Sequence, residues 1–413
     1  MKTSALRQIV AFSPLALLLA TRLISATASA ADPASVGIDA AKLPAIPAKM
    51  QSFVSNHVVS GAVTLVARKG EVVSLAAVGY ADLEKREPMR ADHLFWIASM
   101  TKPITATAVL MLQDEGKLSV EDPVEKYLPE FKDQWLVTEK SKDRIVVQRP
   151  ARKITLRDLL THTSGLTSSA PEAGRDLSLA ELTLTYALQP LQFEPGSKWS
   201  YCNPGINTLG RIIEVVSGEK FSDFLDRRLF VPLGMKDTTF WPTEEQARRV
   251  AKAYGPAPDG QGLAETPVFI LKGPLTSRAR TPIPAGGLYS TAADLARLYQ
   301  MVLNGGTLDG RRYVSAASVK LMTSPQTGDL KAGFTEGMSL GLGWQVVRQP
   351  VGVTAMLAPG THGHGGAFGT QGWIDPAKEM VFVLMIQRAK LPNSDGAEIR
   401  RAFQEAAVAA LKN

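Results

Sequence analysis

Ser99-Met100-Thr101-Lys102 opens a helix that carries Pro103 in its first turn and stops at Gly116. A proline is tolerated there because first-turn N–H groups have no intrahelical partner. Positions i and i+3 share a helix face, about 5–6 Å apart at Cβ, so the Lys102 amine can reach the Ser99 hydroxyl. A serine needs a base to become a nucleophile, and among lysine's forms only the neutral amine serves. The ordinary lysine pKa is about 10.4, so a mostly neutral amine at pH 7 demands a drop of about 3–4 units. That is about 4–5 kcal/mol, within reach of burial and a cationic neighbour. A helix start also aims backbone N–H groups at an oxyanion. Ser217-Gly218-Glu219-Lys220 repeats the spacing but sits at a helix end on Gly218, and reads as a terminating turn.

Outward from Ser99, Phe95 to Ala98 is a short apolar approach. Gly61–Ala67 and Val72–Val78 are β-branched runs split by Arg68-Lys69-Gly70-Glu71, the pattern of a hairpin. Residues 32–48, with Pro33, Pro44 and Pro47, read as an extended lead-in. Thr155–Leu160, Pro204–Val216 and Asp294–Leu303 show helical spacing, and 255–287, rich in Pro and Gly, reads as a long loop. Gly341–Val347, Gly369–Ile374 and Met380–Ile386 read as strands, and Ala397–Leu411 as a final amphipathic helix. Strands at both ends with helices between predict an α+β fold, an α/β sandwich. One antiparallel sheet is built from both chain ends and flanked by helices. The sheet lobe takes 31–98 plus 285–413, and a helical lobe, 99–284, is inserted.

Two further motifs carry chemistry. Tyr201-Cys202-Asn203 is the only Y-x-N among eight tyrosines, lying between the turn Glu194-Pro195-Gly196 and a helix. A phenol beside a lysine can relay a proton, while an amide can orient the amine and bind a substrate carbonyl. Cys202, the one cysteine, reads as a small buried hydrophobe, with a reactive thiol as the alternative. His364-Gly365-Gly366, followed by Ala367, reads as a Gly-rich loop where substrate can lie against a strand edge and a backbone N–H can complete an oxyanion hole.

Taken in order, Ser99-x-x-Lys102, Tyr201-x-Asn203 and His364-x-Gly366 resemble the three motifs of the serine β-lactamase-like hydrolases. That group holds class C β-lactamases, DD-peptidases, D-aminopeptidases and family VIII carboxylesterases. Thr155 to Leu166, Pro195-Gly196 and Gly286 to Thr291 resemble it too, so the likeness spans nearly all of the chain after residue 30. The resemblance implies Ser99 as acylated nucleophile and Lys102 and Tyr201 as a coupled proton-transfer pair. It further implies substrate contacts from Asn203, His364 and Gly366, and oxyanion donors from the Ser99 and Ala367 backbone, with no cofactor and no metal. Dedicated class C β-lactamases usually carry Lys-Thr-Gly as the third motif. A histidine of ordinary pKa, about 6.5, is only about a quarter protonated at pH 7. A weaker charge favours esters or D-amino-acid peptides over anionic β-lactams. β-Lactam hydrolysis should then improve as pH falls from about 7.5 to about 6.

The other readings are weaker. Gly337-Met338-Ser339-Leu340-Gly341 matches the G-x-S-x-G elbow, but a strand-like run follows it where an elbow needs a helix. His362-Gly363-His364 lacks further ligands in a chain with five histidines. A non-catalytic peptidoglycan-binding module has no need of a buried lysine. Residues 1–30 read as a cleavable signal peptide. Lys2 and Arg7 precede an apolar run of about 12 residues broken by Pro14, and Ala28-Ser29-Ala30 ends it. A membrane span needs about 20 residues. Their removal takes the net charge from +7 to +4, with no Lys/Arg blocks, which argues against nucleic acid. The expected protein is an exported, periplasmic or secreted monomer acting on a small ester, β-lactam or cell-wall peptide.

Overall fold

Alternation along two neighbouring strands sets the architecture. In β1 (Gly61–Arg68) Val63 and Leu65 face one apolar cluster, while Ala62 and Val66 face another. The partner strand near the C-terminus, Met380–Met385, divides likewise, with Val381 and Val383 on one side and Phe382 and Leu384 on the other. A sheet buried on both faces needs helices on both. The computed structural model describes residues 32–168, 177–268 and 273–412, so the leader expected at 1–30 lies outside the described residues.

The lead-in is helical, not extended. Asp32 and Asp39 accept hydrogen bonds from the Ala34 and Ala41 N–H groups, capping two 3-10 turns, Pro33–Val36 and Ala40–Lys42. Helix α1 (Ala45–Ser55) follows, with Pro47 in its first turn, where a missing N–H costs nothing. β1 pairs with β2 (Glu71–Asp82), and β3 (Glu87–Pro88) and β4 (Phe95–Trp96) lead into α2 (Thr101–Asp114). The middle of the chain holds a hairpin, β5 (Leu136–Lys140) with β6 (Ile145–Gln148), then α3 (Leu156–Leu160), α4 (Leu179–Ala187) and α5 (Asn203–Ser217). Short helices α6 (Phe221–Leu225), α7 (Val231–Leu233) and α8 (Glu244–Arg248) follow. The stretch read as one long loop contains a small hairpin, β7 (Tyr254–Pro256) with β8 (Leu263–Glu265). Then come β9 (Tyr289–Ser290), α9 (Ala292–Leu303), β10 (Thr307–Leu308), β11 (Arg311–Arg312) and α10 (Ala316–Thr323).

The last part of the chain returns to the sheet through β12 (Met338–Leu340), β13 (Gln345–Val347), β14 (His362–Gly365), β15 (Gln371–Asp375) and β16 (Met380–Met385), and ends in α11 (Glu398–Ala409). The eight-stranded order is β12-β13-β14-β15-β16-β1-β2-β3, antiparallel throughout. Both chain ends therefore build one sheet. α1 and α11 cover one face, and α9 packs against β1 and β16 on the other. Of the strand expected over Gly341–Val347 only Gln345–Val347 is extended, as β13; residues 341–344 form the turn from β12, closed by Gly341 N–H donating to Trp344 O at 2.8 Å. Residues Thr101 to Leu112 of α2 are all buried, so this helix is enclosed on every side. Among the described residues no helix is long and apolar enough to cross a membrane.

Candidate active site

Ser99 sits in a 3-10 turn, Ala98–Met100, between β4 and α2. β4 is anchored by pairing with β9, and Ala98 takes φ +46°, left-handed for a residue with a Cβ. Such a conformation costs about 1–2 kcal/mol and persists only where the surroundings impose it. Ala98 is buried, and its carbonyl accepts from Thr101 Oγ1 at 2.7 Å. The turn presents the Ser99 hydroxyl to two side chains. Lys102 Nζ lies 2.9 Å from Ser99 Oγ, and Tyr201 OH donates to Oγ at 2.7 Å. Lys102 Nζ also donates to Ala285 O at 2.6 Å and lies 4.7 Å from the centre of the Tyr201 ring.

The electrostatics around Ser99 follow from burial. Lys102 is fully enclosed, and desolvation holds its amine well below the ordinary lysine value. Desolvation also raises the Tyr201 phenol well above its ordinary value, outweighing the hydrogen bond to Ser99. A neutral amine with one N–H on Ala285 O can point its lone pair at Ser99, while the protonated phenol donates to the same Oγ. In this state Lys102 is the proton acceptor and Tyr201 a donor. The Cys202 thiol is buried and pushed up to about 11, chiefly by desolvation, which makes it the inert hydrophobe of the two readings.

The third motif departs from its sequence reading. His364 lies in strand β14, not in a loop, and is 2% exposed. Desolvation first, then the nearby Lys102, brings its ring down to about 3. Its Nδ1 sits 2.7 Å from Gly365 O, which places the proton on Nδ1 and a lone pair on Nε2. The partly charged donor expected near neutral pH is therefore a neutral ring, and the expected gain in β-lactam hydrolysis on mild acidification loses its cause. His362, two residues earlier, packs its ring 5.5 Å from Trp344, and among the described residues no cluster suited to a metal occurs.

Gly366 earns its place sterically. A Cβ there would lie 2.1 Å from Thr370 Oγ1 and 2.6 Å from Ile97 O. That contact seats the end of β14 against the residue pair before Ser99, and the next residue is Ala367. Among the described residues neither Ser99 N–H nor Ala367 N–H donates to another protein group, leaving both free for a substrate oxygen. Asn203, at the start of α5, is exposed and makes no hydrogen bond to Lys102 among the described residues. The expectation that this amide orients the amine is not met.

Sequence reasoning missed two groups here. His162, at φ +58° after α3, holds the Tyr201 loop. Its Nδ1 accepts from Cys202 N–H at 3.1 Å, its carbonyl accepts from Ser200 N–H at 2.9 Å, and its ring lies 4.6 Å from that of Tyr201. Burial, then Lys102 and His364, hold His162 well below its ordinary pKa. Phe334, 37% exposed, packs edge-on to Tyr201 at 4.9 Å and to Trp199 at 5.7 Å, giving the mouth an aromatic wall. The signal for His162 was its place in the quoted Thr155–Leu166 stretch, whereas nothing local marks Phe334. Ser339 is buried in β12 against Thr327, and Ser217 ends α5 before Gly218 at φ +74°, so neither competing serine is presented to substrate.

The sequence matches the family described as Beta-lactamase over residues 46–407. Esterase EstB of Burkholderia gladioli is 29% identical over 395 residues, 88% of this chain and 95% of that protein. Penicillin-binding protein 4 of Amycolatopsis lactamdurans is 32% identical over 324 residues, 77% of each. Among solved structures, EstCE1, described as a hydrolase with promiscuous acyltransferase activity, superposes with a TM-score of 0.71 at 25% identity, covering 91% of this chain and 99% of its own.

Proposed function

This chain belongs to the Beta-lactamase family and is a serine hydrolase, and from that premise we propose that it cleaves neutral esters through an acyl-enzyme on Ser99 after export. The observation that carries the mechanism is the convergence of Lys102 Nζ and Tyr201 OH on Ser99 Oγ, at 2.9 and 2.7 Å. Lys102 takes the Ser99 proton as Oγ attacks the carbonyl carbon. The oxyanion accepts from the Ser99 and Ala367 N–H groups. As the tetrahedral centre collapses, the proton held by Lys102 reaches the leaving alkoxide through Tyr201, and water repeats the sequence to free the acid. Asn203, exposed at the start of α5, is assigned a contact with the substrate carbonyl side.

Substrate choice follows from the third motif. An uncharged His364 supplies no cation for a β-lactam carboxylate, and the wall of Tyr201, Phe334 and Trp199 offers apolar contact to an acyl or alkoxy group. D-Amino-acid peptides and β-lactams are the competing substrates, suggested by the penicillin-binding relative. The test is a panel of p-nitrophenyl esters, a chromogenic cephalosporin and a D-Ala-D-Ala peptide, with fluorophosphonate labelling mapped by mass spectrometry. The reading expects the label on Ser99 and the highest kcat/KM on a short-chain ester. A label on Ser339, or a cephalosporin kcat/KM above every ester, overturns it. Export through residues 1–30 predicts a mature N-terminus at Ala31, read by N-terminal sequencing of the secreted protein.

A further inference from the structure

Lys102 reaches Ala285 O through a loop held by both helices that flank it. Thr105 on α2 donates from Oγ1 to Pro284 O at 2.8 Å. On α5, Asn207 Oδ1 accepts from Ala285 N–H at 3.0 Å, and its Nδ2 donates to Tyr186 OH on α4 at 3.0 Å. One turn further on, Gly210 leaves the space that Pro284 fills, since a Cβ there would lie 2.2 Å from Pro284 Cγ. The Pro284–Ala285 step is thus gripped at three points, and its one remaining carbonyl, that of Ala285, is aimed at the Lys102 amine. Asn207 is buried and occupies the helix position four residues after Asn203.

We propose that Asn207 is a positioning residue for the Lys102 base, acting through the Ala285 peptide. The inference rests on the reading of Lys102 as the group that deprotonates Ser99. An amine between the Ser99 hydroxyl and the Tyr201 ring can swing its lone pair several ways. A fixed acceptor at Ala285 O consumes one N–H and leaves the lone pair toward Ser99 Oγ. The amide oxygen of Asn207 fixes that acceptor by holding the N–H of the same residue, so the role assigned to the second motif's amide falls one helical turn later.

The groups facing Lys102 are Tyr201 and Cys202 just before α5, His162 after α3 and His364 on β14, with Tyr186 of α4 facing Asn207. Burial favours the neutral form in all of these neighbours except where a new charge is introduced. Asn207→Asp retains the acceptor and adds such a charge, which favours the ammonium form of Lys102. Asn207→Leu keeps the bulk and removes the acceptor.

The experiment measures kcat and KM for a p-nitrophenyl ester against pH in Asn207→Leu, Asn207→Asp and Lys102→Ala. The expected result is kcat at least tenfold lower in Asn207→Leu with KM within about threefold. Asn207→Asp should recover plateau kcat to within about threefold of wild type, its acidic limb displaced upward by about half a pH unit or more. A folded Asn207→Leu with kcat within twofold of wild type overturns the proposal, as does an Asn207→Asp limb that does not move. The second measurement decides if Asn207→Leu fails to fold. Activity surviving in Lys102→Ala overturns the mechanism itself. An inactive Lys102→Ala beside a fully active Asn207→Leu removes only the role of Asn207.

Discussion

Replacing Lys102 with Met should abolish turnover and yet stabilise the protein. The amine is fully buried, with desolvation as the largest influence on it, and its state differs between the folded and unfolded chain. At pH 7 the unfolded lysine binds a proton and the folded one, on the proposed mechanism, does not. Stability therefore rises with pH, at about 1.36 kcal/mol per unit, until the unfolded lysine itself deprotonates near about pH 10.4. Keeping a lysine neutral at pH 7 costs about 4–5 kcal/mol, which Met does not incur. Against that, Ala285 O loses its donor, a loss of about 1–3 kcal/mol for a buried acceptor, while Ser99 keeps its bond from Tyr201. Met should then be more stable at pH 7 by about 2 kcal/mol. The advantage should shrink by about 2.7 kcal/mol between pH 7 and pH 9, since only the wild type gains over that range. Urea unfolding of both proteins at pH 7, 8 and 9 measures it, and titrations elsewhere cancel in the difference. A difference independent of pH would mean that Lys102 is charged in the folded protein, and the base assignment would fall.

Three other outcomes are expected. His364, brought down to about 3, should show no ring titration between pH 5 and 8 by NMR, so cephalosporin hydrolysis should not rise on going from pH 7.5 to 6; a midpoint near 6.5 would restore the charged third motif. Gly366→Ala should lower kcat/KM at least tenfold and destabilise by about 1–3 kcal/mol, because Thr370 can rotate away but Ile97 O is backbone; unchanged turnover would show that this packing does not place the oxyanion donors. The Cys202 thiol, pushed up to about 11 and buried, should be silent to Ellman's reagent at pH 8 in the native protein and react fully in urea; rapid native labelling would contradict its burial.

The fold was legible where its cause is periodic. The runs at Gly61 and Met380 lie in the centre of a sheet buried on both faces, so nearly every residue is apolar and the strand signal is strong; the run at Val72, one strand in from the edge and largely half-buried, was legible from its β-branched residues and the turn before it. The lead-in was misread because Pro44 and Pro47 break helices only in the interior, and here they stand at the start of α1. β14 was misread because His362-Gly363-His364-Gly365 has no β-branched residue at all. Its strand state comes from pairing with β13 and β15, which a single segment cannot reveal.

Within the site, the serine and lysine were legible because three residues of one helix turn set their separation, and Tyr201 because its tripeptide is unique in the chain. Side-chain charge was not legible, since it depends on what encloses a group rather than on its neighbours in sequence. Ser99, Lys102, Tyr201, Cys202, His162 and His364 come from four separate stretches. Each titratable member among them is driven toward its neutral form, with burial as the largest influence on every one. These side chains therefore carry little charge before the reaction. On the proposed mechanism, the negative charge that develops on the substrate oxygen and the positive charge that Lys102 acquires with the Ser99 proton arise together in a low-dielectric space. There they attract each other far more strongly than in water. That attraction is absent before the proton moves, so it lowers the barrier without tightening ground-state binding. A permanent cation at position 364 would oppose the charging of Lys102 throughout. On this argument a histidine at position 364, where a lysine would be a permanent cation, bears on the base as well as on the proposed substrate choice, because it leaves out a charge that would compete with the base.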